Sequence, residues 1–341
     1  MTIRLLPLVL LLACRGALGA PGPFPWGVSG HPHVQEGYRD VPVTTQLDLV
    51  AELGMGWYRC DWPQSLLEQR PEALDELVSE AARRGLHILP VMFPTTSCRA
   101  DAPPEEVRAA AFAFARALAQ RYRGRLTHYE LDNELDVFAM VRKGETTPGG
   151  TLWEWGDPDG DSRDHYEETR YQRVRAELTG LHEGIRAGDP EALTIVNSAG
   201  WLHTGFFVRL VREDRVPCDL LGWHWYSEMG DMRRVRGELD LIERLNGFGK
   251  PLWITEINRR GGSMGGAEAQ QAAYLAGLAQ AVRTYSGVEA CFAYELLDEP
   301  YFGPDNPESH YGLVELLRGP EGRWTTGRKK PAFGALRAAI R

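Results

Sequence analysis

Residues 72–134 read EALDELVSEAARRGLHILPVMFPTTSCRADAPPEEVRAAAFAFARALAQRYRGRLTHYELDNE. Two kinds of segment alternate in this stretch. Glu72 to Arg84 is an amphipathic helical run, and Gly85 ends it. Leu86 to Met92 is a short apolar run of strand length. Glu105 to Tyr122 is a long Ala-rich helix, and Leu126 to Leu131 is the next strand. The same alternation extends in both directions. Upstream, strand one lies around Trp26-Gly27-Val28, a helix covers Gln46 to Leu53 before Gly54, and Gly56 to Arg59 is strand two. Downstream come a helix over Tyr166–Ala187, a strand over Leu193–Asn197, a helix over Thr204–Arg212 and a strand over Leu220–Trp225. The pattern continues with a helix over Val235–Leu245, a strand over Pro251–Thr255, a helix over Ala267–Tyr285, a strand over Val288–Tyr294 and a closing helix over Pro331–Ile340.

Eight strand–helix units without a domain-sized interruption predict an α/β protein, a single (β/α)8 TIM barrel. The chain has 341 residues, more than the roughly 250 of a plain barrel, and the surplus falls in long loops. The longest follow strand four (137–165) and strand eight (299–330). A doubly wound sheet would need a glycine-rich phosphate loop after strand one, and Gly27-Val28-Ser29-Gly30 does not supply one.

Composition is that of a globular protein, with 43% hydrophobic and 25% charged residues, which excludes disordered and collagen-like chains. The formal net charge is −9 and no Lys/Arg block stands out, which argues against a nucleic-acid partner. Arg4 followed by the apolar run Leu5 to Ala13 has the shape of a signal-peptide core, too short to span a bilayer, with small residues at Ala17, Gly19 and Ala20. Residues 1–20 are therefore set apart from the fold, and export to the periplasm or exterior is expected. Leu11-Leu12-Ala13-Cys14 also resembles a lipobox, which offers a second reading: a lipid anchor on Cys14 at a bacterial membrane. The rest has no apolar run long enough for a membrane span. Of the remaining cysteines, Cys60 and Cys98 both follow strands at the same barrel end and are the plausible disulfide pair; four buried thiols is the competing expectation.

In a barrel, residues at the C-terminal strand ends converge on one mouth. Strand two delivers Arg59, strand four Asp132-Asn133-Glu134, strand six His224-Trp225-Tyr226, strand seven Glu256, and strand eight Tyr294-Glu295 with Asp298 and Glu299 behind. Strands four and seven lie across the barrel from each other. Two carboxyls facing over a cleft are the machinery of glycoside hydrolysis: one protonates the leaving oxygen, the other attacks or activates water. Arg59 and Tyr226 are placed to keep one of them ionised.

Several segments carry a family resemblance. Tyr129-Glu130-Leu131-Asp132-Asn133-Glu134 resembles the strand-four signature of retaining glycoside hydrolases of the large (β/α)8 clan A, most like its family 39-like and family 5-like members. Pro251 to Glu256 resembles the strand-seven segment with the nucleophile, and Trp223-His224-Trp225-Tyr226 is similar to strand six. Ala293 to Asp298 and Leu53 to Arg59 are similar to the strand-eight and strand-two segments. The resemblance covers roughly residues 24–300 and makes 21–341 one catalytic domain. It implies a retaining β-glycosidase acting on an oligo- or polysaccharide, with Glu134 as acid/base, Glu256 as nucleophile and Asn133 on the sugar 2-hydroxyl. Arg59, His224, Tyr226, Tyr294, Glu295, Trp26, Trp225, His31 and Asp132 complete the expected substrate-binding set. Asp132 stands where the family often has Trp. No cofactor or metal is expected.

Other signals point elsewhere. His31-Pro32-His33, with His203, His224 and Asp298, is a sketch of a metal-dependent barrel hydrolase, but strand four lacks its bridging Lys. Asp157, Asp159, Asp161 and Glu168 have calcium-loop offsets, but the sixth position is Ser162 rather than Gly. Trp153 and Trp155 in that loop suit a distant sugar subsite or simple packing. A sugar-binding barrel without catalysis is the non-enzymatic alternative.

Overall fold

The structure, a computed structural model, describes residues 24–142, 145 and 160–341. The leader, Cys14, Trp153, Trp155 and the first two aspartates of the calcium-like loop lie outside them. Eight parallel strands close in sequence order: β1 (Trp26–Gly30), β2 (Trp57–Pro63), β3 (His87–Phe93), β4 (His128–Leu131), β5 (Leu193–Val196), β6 (Leu220–Tyr226), β7 (Leu252–Asn258) and β8 (Val288–Ala293). β8 pairs back onto β1, with Gly27 opposite Phe292. The eight units predicted from alternation are therefore present as a (β/α)8 barrel.

The helices that pack outside are α1 (Val43–Leu53), α2 (Pro71–Arg83), α3 (Pro104–Arg121), α4 (Glu168–Gly188), α5 (Thr204–Phe207), α6 (Leu241–Asn246), α7 (Glu268–Val282) and α8 (Pro331–Ile340). α5 runs directly into a π-helical turn, Val208–Glu213. Gly54 ends α1 at φ +84°, where its N–H returns to Val50 and Ala51 carbonyls. Two expectations need correction. The helix expected over Val235–Leu245 forms only at Leu241–Asn246, because Gly237 turns left-handed and Asp240 caps a new start. The loop after β8 contains an antiparallel hairpin, β9 (Val314–Arg318) and β10 (Trp324–Lys329).

Alternation along each strand sorts side chains between the barrel interior and the helix layer. On β2, Trp57 and Arg59 point inward, while Tyr58, Cys60 and Trp62 join the core under the helices. The lower interior is a dry plug of Trp57, Leu89, Ile195, Leu220, Trp253, Ala290 and Phe292. Trp57 meets Trp253 edge-on at 5.3 Å, and Trp253 stacks on Phe292 at 5.7 Å. Gly27 makes room for this plug, since a Cβ there would lie 2.2 Å from the Phe292 ring. The polar residues of the barrel mouth, Arg59, Glu130 and Glu256 among them, sit above this floor.

All four described cysteines are buried free thiols. Cys60 faces the helix layer and accepts a hydrogen bond from Trp62 Nε1 at 3.3 Å. The Cys98 N–H instead donates to Glu177 on α4. The two thiols have separate environments, so the expected disulfide does not form.

At the bottom of the barrel, His128 stacks on Trp253 at 4.7 Å. Burial there, aided by the charge of His87, pushes its pKa down to about 4. The unfolded chain then takes up a proton near pH 6.5 that the folded chain refuses until about pH 4. Stability should therefore fall by about 2 kcal/mol as pH drops through that window, allowing for partial solvent access. His128→Phe keeps the stack and removes the titration. Urea midpoints at pH 7 and pH 4.5 should show a smaller loss in this variant than in wild type; equal losses would exclude His128 as the cause.

Candidate active site

Arg59 rises from β2 just above the aromatic floor and is almost fully buried. A buried guanidinium must be paired, and its planar fork lets it satisfy several acceptors at once. Nε donates to Glu130 Oε2 at 2.5 Å, Nη1 to Glu256 Oε1 at 2.7 Å and Nη2 to Asn133 Oδ1 at 2.8 Å. One side chain thus links β2 to β4, β7 and the turn beyond β4. Glu256, at the tip of β7, also accepts from the Tyr226 hydroxyl at 2.6 Å. Burial alone would raise the Glu256 pKa. The charges of His224 and Arg59 and the hydrogen bonds from Tyr226 and Arg59 outweigh it and hold the carboxyl below its usual range.

Glu134 is delivered by a turn rather than a strand. Asp132 (φ +59°) and Glu134 (φ +53°) both lie in the left-handed region, which non-glycine residues occupy only when surrounding contacts enforce it. Asn197, just past β5, supplies those contacts. Its amide donates to Glu130 Oε1 at 2.9 Å and to the Asp132 carbonyl at 2.8 Å, while its Oδ1 accepts the Glu134 N–H at 2.7 Å. Asp132 accepts the Asn133 N–H at 2.6 Å and Arg99 at 3.0 and 3.1 Å. Asp136, buried in the short helix Leu135–Ala139, accepts Ser198 Oγ at 2.7 Å, the Ala199 N–H and His203 Nδ1 at 2.6 Å.

The result is two glutamates in unlike settings. The Glu134 side chain is 34% exposed and that of Glu256 only 7%. His224 lies behind both, with Nδ1 2.7 Å from Glu134 Oε1 and 3.6 Å from Glu256 Oε2. Burial pushes the His224 pKa down, but Glu256 and Glu134 pull it up further, and the net shift is upward. One ligand-capable atom from each of Glu134, His224 and Glu256 lies within 4.8 Å of the other two.

A cleft of about 510 Å³ opens over this pair. Of the residues expected to bind substrate, Asn133, Arg59, Tyr226, Tyr294 and His31 line it with Glu134 and Glu256. The others sit elsewhere. Trp26 packs outward against Phe24, and Trp225 is buried, its indole N–H donating to the Gly230 carbonyl at 2.9 Å. Asp132 is fully buried and shapes the turn. His224 and Glu295 are likewise fully buried behind the cleft wall. Sequence reasoning missed Asp61, Arg99, Trp201, Glu228, Glu308 and Tyr311, which also line the cleft. Trp201, 44% exposed at the rim, is a flat surface suited to a sugar face. Glu308 accepts from the Tyr294 hydroxyl at 2.9 Å, and burial raises its pKa to about 7.

The dinuclear-metal sketch is not assembled. His33 sits beside Arg70 and Ala73, His203 serves Asp136, His224 serves the glutamates, and Asp298 pairs with Lys330. Glu168, twelfth in the calcium-like loop, bonds Arg209 and Gln172.

In architecture the chain is a (β/α)8 barrel of the kind found among glycoside hydrolases of families 39 and 5. It is similar to a family 39 glycoside hydrolase from the gut symbiont Bacteroides cellulosilyticus WH2 (TM-score 0.68, 18% identity over 93% of this chain), and spans 63% of that protein's length. It is similar also to a GH5_18 enzyme from Streptomyces cattleya in complex with Manβ1-4GlcNAc (TM-score 0.64, 19% identity, covering 94% of this chain and 80% of that one). A β-glucosidase from Thermotoga maritima in complex with azafagomine matches at TM-score 0.63 and 11% identity, over 93% of this chain and 97% of that one. At these identities the likeness is one of fold. No protein-family model and no curated protein matches the sequence.

Asp136 anchors the segment that carries Glu134. Asp136→Ala would strand a buried His203 and two further donors, at a cost of about 3–5 kcal/mol. Chemical denaturation should read that loss, and a change under about 1 kcal/mol would show that the anchor is dispensable.

Proposed function

We propose that this chain is a retaining β-glycoside hydrolase that cleaves O-glycosidic bonds of an oligo- or polysaccharide. The observation that carries the proposal is the pair Glu134–Glu256, which line one cleft with one oxygen of each within 4.8 Å of the other, close enough to share one sugar. Retaining enzymes hold their carboxyls about 5–5.5 Å apart, whereas inverting ones leave about 6.5–9.5 Å for a water.

Roles follow from environment. Glu256 is held ionised by Arg59, Tyr226 and His224, as a nucleophile must be. It attacks the anomeric carbon while Glu134, the more exposed of the two, gives its proton to the departing oxygen. The glycosyl–oxygen bond breaks as the ester to Glu256 forms. Water then enters, Glu134 takes its proton, and the ester is cleaved with overall retention. Asn133, held by Arg59 at the cleft, is placed to bond a sugar hydroxyl near the reacting carbon. Glu308, Asp61, Tyr294 and Tyr311 offer further hydroxyl partners, and Trp201 a stacking face.

Glu256→Ala should lose turnover of aryl β-glycosides to background, and azide should restore it with inverted product by replacing the missing carboxylate. Glu134→Ala should slow substrates with poor leaving groups by about 10²–10⁴-fold and activated aryl glycosides far less. Undiminished turnover in Glu256→Ala would end the assignment, and sugar binding without turnover in wild type would favour the non-catalytic alternative. Tyr226→Phe removes one donor that favours ionised Glu256. The acidic limb of kcat/KM should therefore move to higher pH, with kcat down by about 10- to 100-fold.

A further inference from the structure

A second group of buried ionisable side chains lies beside the cleft, between the ends of β1 and β8, and the reaction above does not use it. His31, Glu295 and Glu299 each bring a ligand-capable atom within 4.8 Å of the other two. All three residues are more than nine-tenths buried. Asp61 Oδ2 lies 2.6 Å from His31 Nδ1, which leaves Nε2 facing Glu295 Oε2 at 3.3 Å. The Tyr38 hydroxyl donates to Glu295 Oε2 at 2.8 Å, and the Tyr301 hydroxyl to Glu299 Oε1 at 2.5 Å. His31 Nε2 and Glu295 Oε1, both buried, make no hydrogen bond.

This arrangement is incomplete by ordinary rules. Buried carboxyls are paired with cations, bind metals or stay protonated, and burial pushes Glu295 and Glu299 toward the protonated form where no cation is present. Among the described residues no Lys or Arg forms an ion pair with Asp61, Glu295 or Glu299, and the buried Lys330 is committed to Asp298 at 2.5 Å. A single imidazole therefore faces three acids. The unpartnered imidazole nitrogen and carboxylate oxygen belong to the two side chains that meet at 3.3 Å.

We propose that His31, Glu295 and Glu299 bind one divalent transition-metal ion, with Zn²⁺ the best-fitting member. One imidazole with two carboxylates is a mixed N/O donor set that suits zinc. Calcium prefers six to eight oxygens and fits it poorly. Zinc–ligand lengths of about 2.0–2.1 Å in a tetrahedron place neighbouring donors about 3.3 Å apart. The His31–Glu295 separation already has that value. Asp61 on His31 Nδ1 supplies the carboxylate–histidine partnership that orients metal-binding imidazoles, and the two tyrosine hydroxyls steady the carboxylates. His31 and Asp61 also line the cleft, so the cluster borders it. The ion would tie the segment after β1 to the segment after β8 beneath the sugar site.

The test is direct and independent of turnover. The untagged full chain is stripped with a chelator and dialysed against micromolar Zn²⁺, and bound metal is counted by mass spectrometry. One zinc per chain is expected in wild type and also in the Glu134→Gln/Glu256→Gln double variant, which removes the other three-residue cluster. Glu299→Gln and Glu295→Gln should lose the zinc and its rise in melting temperature, and Asp61→Asn should weaken affinity by about 10- to 100-fold. His31→Ala should also lose the zinc; should it fail to fold, the near-isosteric Glu299→Gln, checked by circular dichroism, carries the test. The proposal is overturned if wild type binds no zinc, if Glu299→Gln and Glu295→Gln keep it, or if only the double variant loses it.

Discussion

The buried guanidinium of Arg59 is the interaction on which the site depends. It stands on a floor of tryptophan and phenylalanine and is itself almost fully buried, so its charge must be answered by protein groups. Glu130 and Glu256 answer it from two other strands, and Asn133 from the turn beyond β4. A lysine offers one point charge and would leave at least one of these groups unmet. The ion triad therefore does two jobs. It repays the desolvation of three charges, and it sets the spacing of the strand ends that carry Glu256 and the Asn133–Glu134 turn.

From that constraint follows the asymmetry of the two glutamates. Glu256 comes directly off β7 into a cage of donors, where ionisation is favoured despite burial. Glu134 is set a turn away from β4, in a left-handed conformation that the Asn197 clamp supports, and its carboxyl keeps contact with solvent. Two identical side chains thus occupy different surroundings, one caged by donors and buried, the other open to solvent. His224 lies behind both, 2.7 Å from Glu134 and 3.6 Å from Glu256.

How much of this the sequence reveals depends on whether a feature is local. Strand ends converge in any barrel, so Arg59, Glu134, Tyr226 and Glu256 were legible from order alone. Alternation would also have placed Trp225: with His224 and Tyr226 reaching Glu256, the residue between them must face the helices. The same rule puts Trp26 outside, because Gly27 beside it faces the interior plug. Asp132 was misread for a different reason. Adjacency to Glu134 suggested a shared cleft, but a positive φ turns its side chain down to Arg99, a partner far along the chain. The clamp by Asn197 and the hairpin after β8 rest on such distant pairings, which no local pattern announces.

The barrel's handling of acid supplies the last step. The chain is acidic overall, and many carboxylates are buried around the mouth. Nearly all have a dedicated partner: Glu130 and Glu256 share Arg59, Asp132 has Arg99, Asp136 has His203 and Asp298 has Lys330. Each pairing joins segments that are distant in sequence, so the same contacts that neutralise charge also fix the loops over the floor. Glu177, which has only the Cys98 N–H, departs from the pattern singly, whereas Glu295 and Glu299 depart from it together, sharing with Asp61 the single imidazole of His31. Three acids gathered on one imidazole, with an unpartnered nitrogen and oxygen on the two side chains that meet there, are the local surplus of carboxylate that the proposed cation would balance.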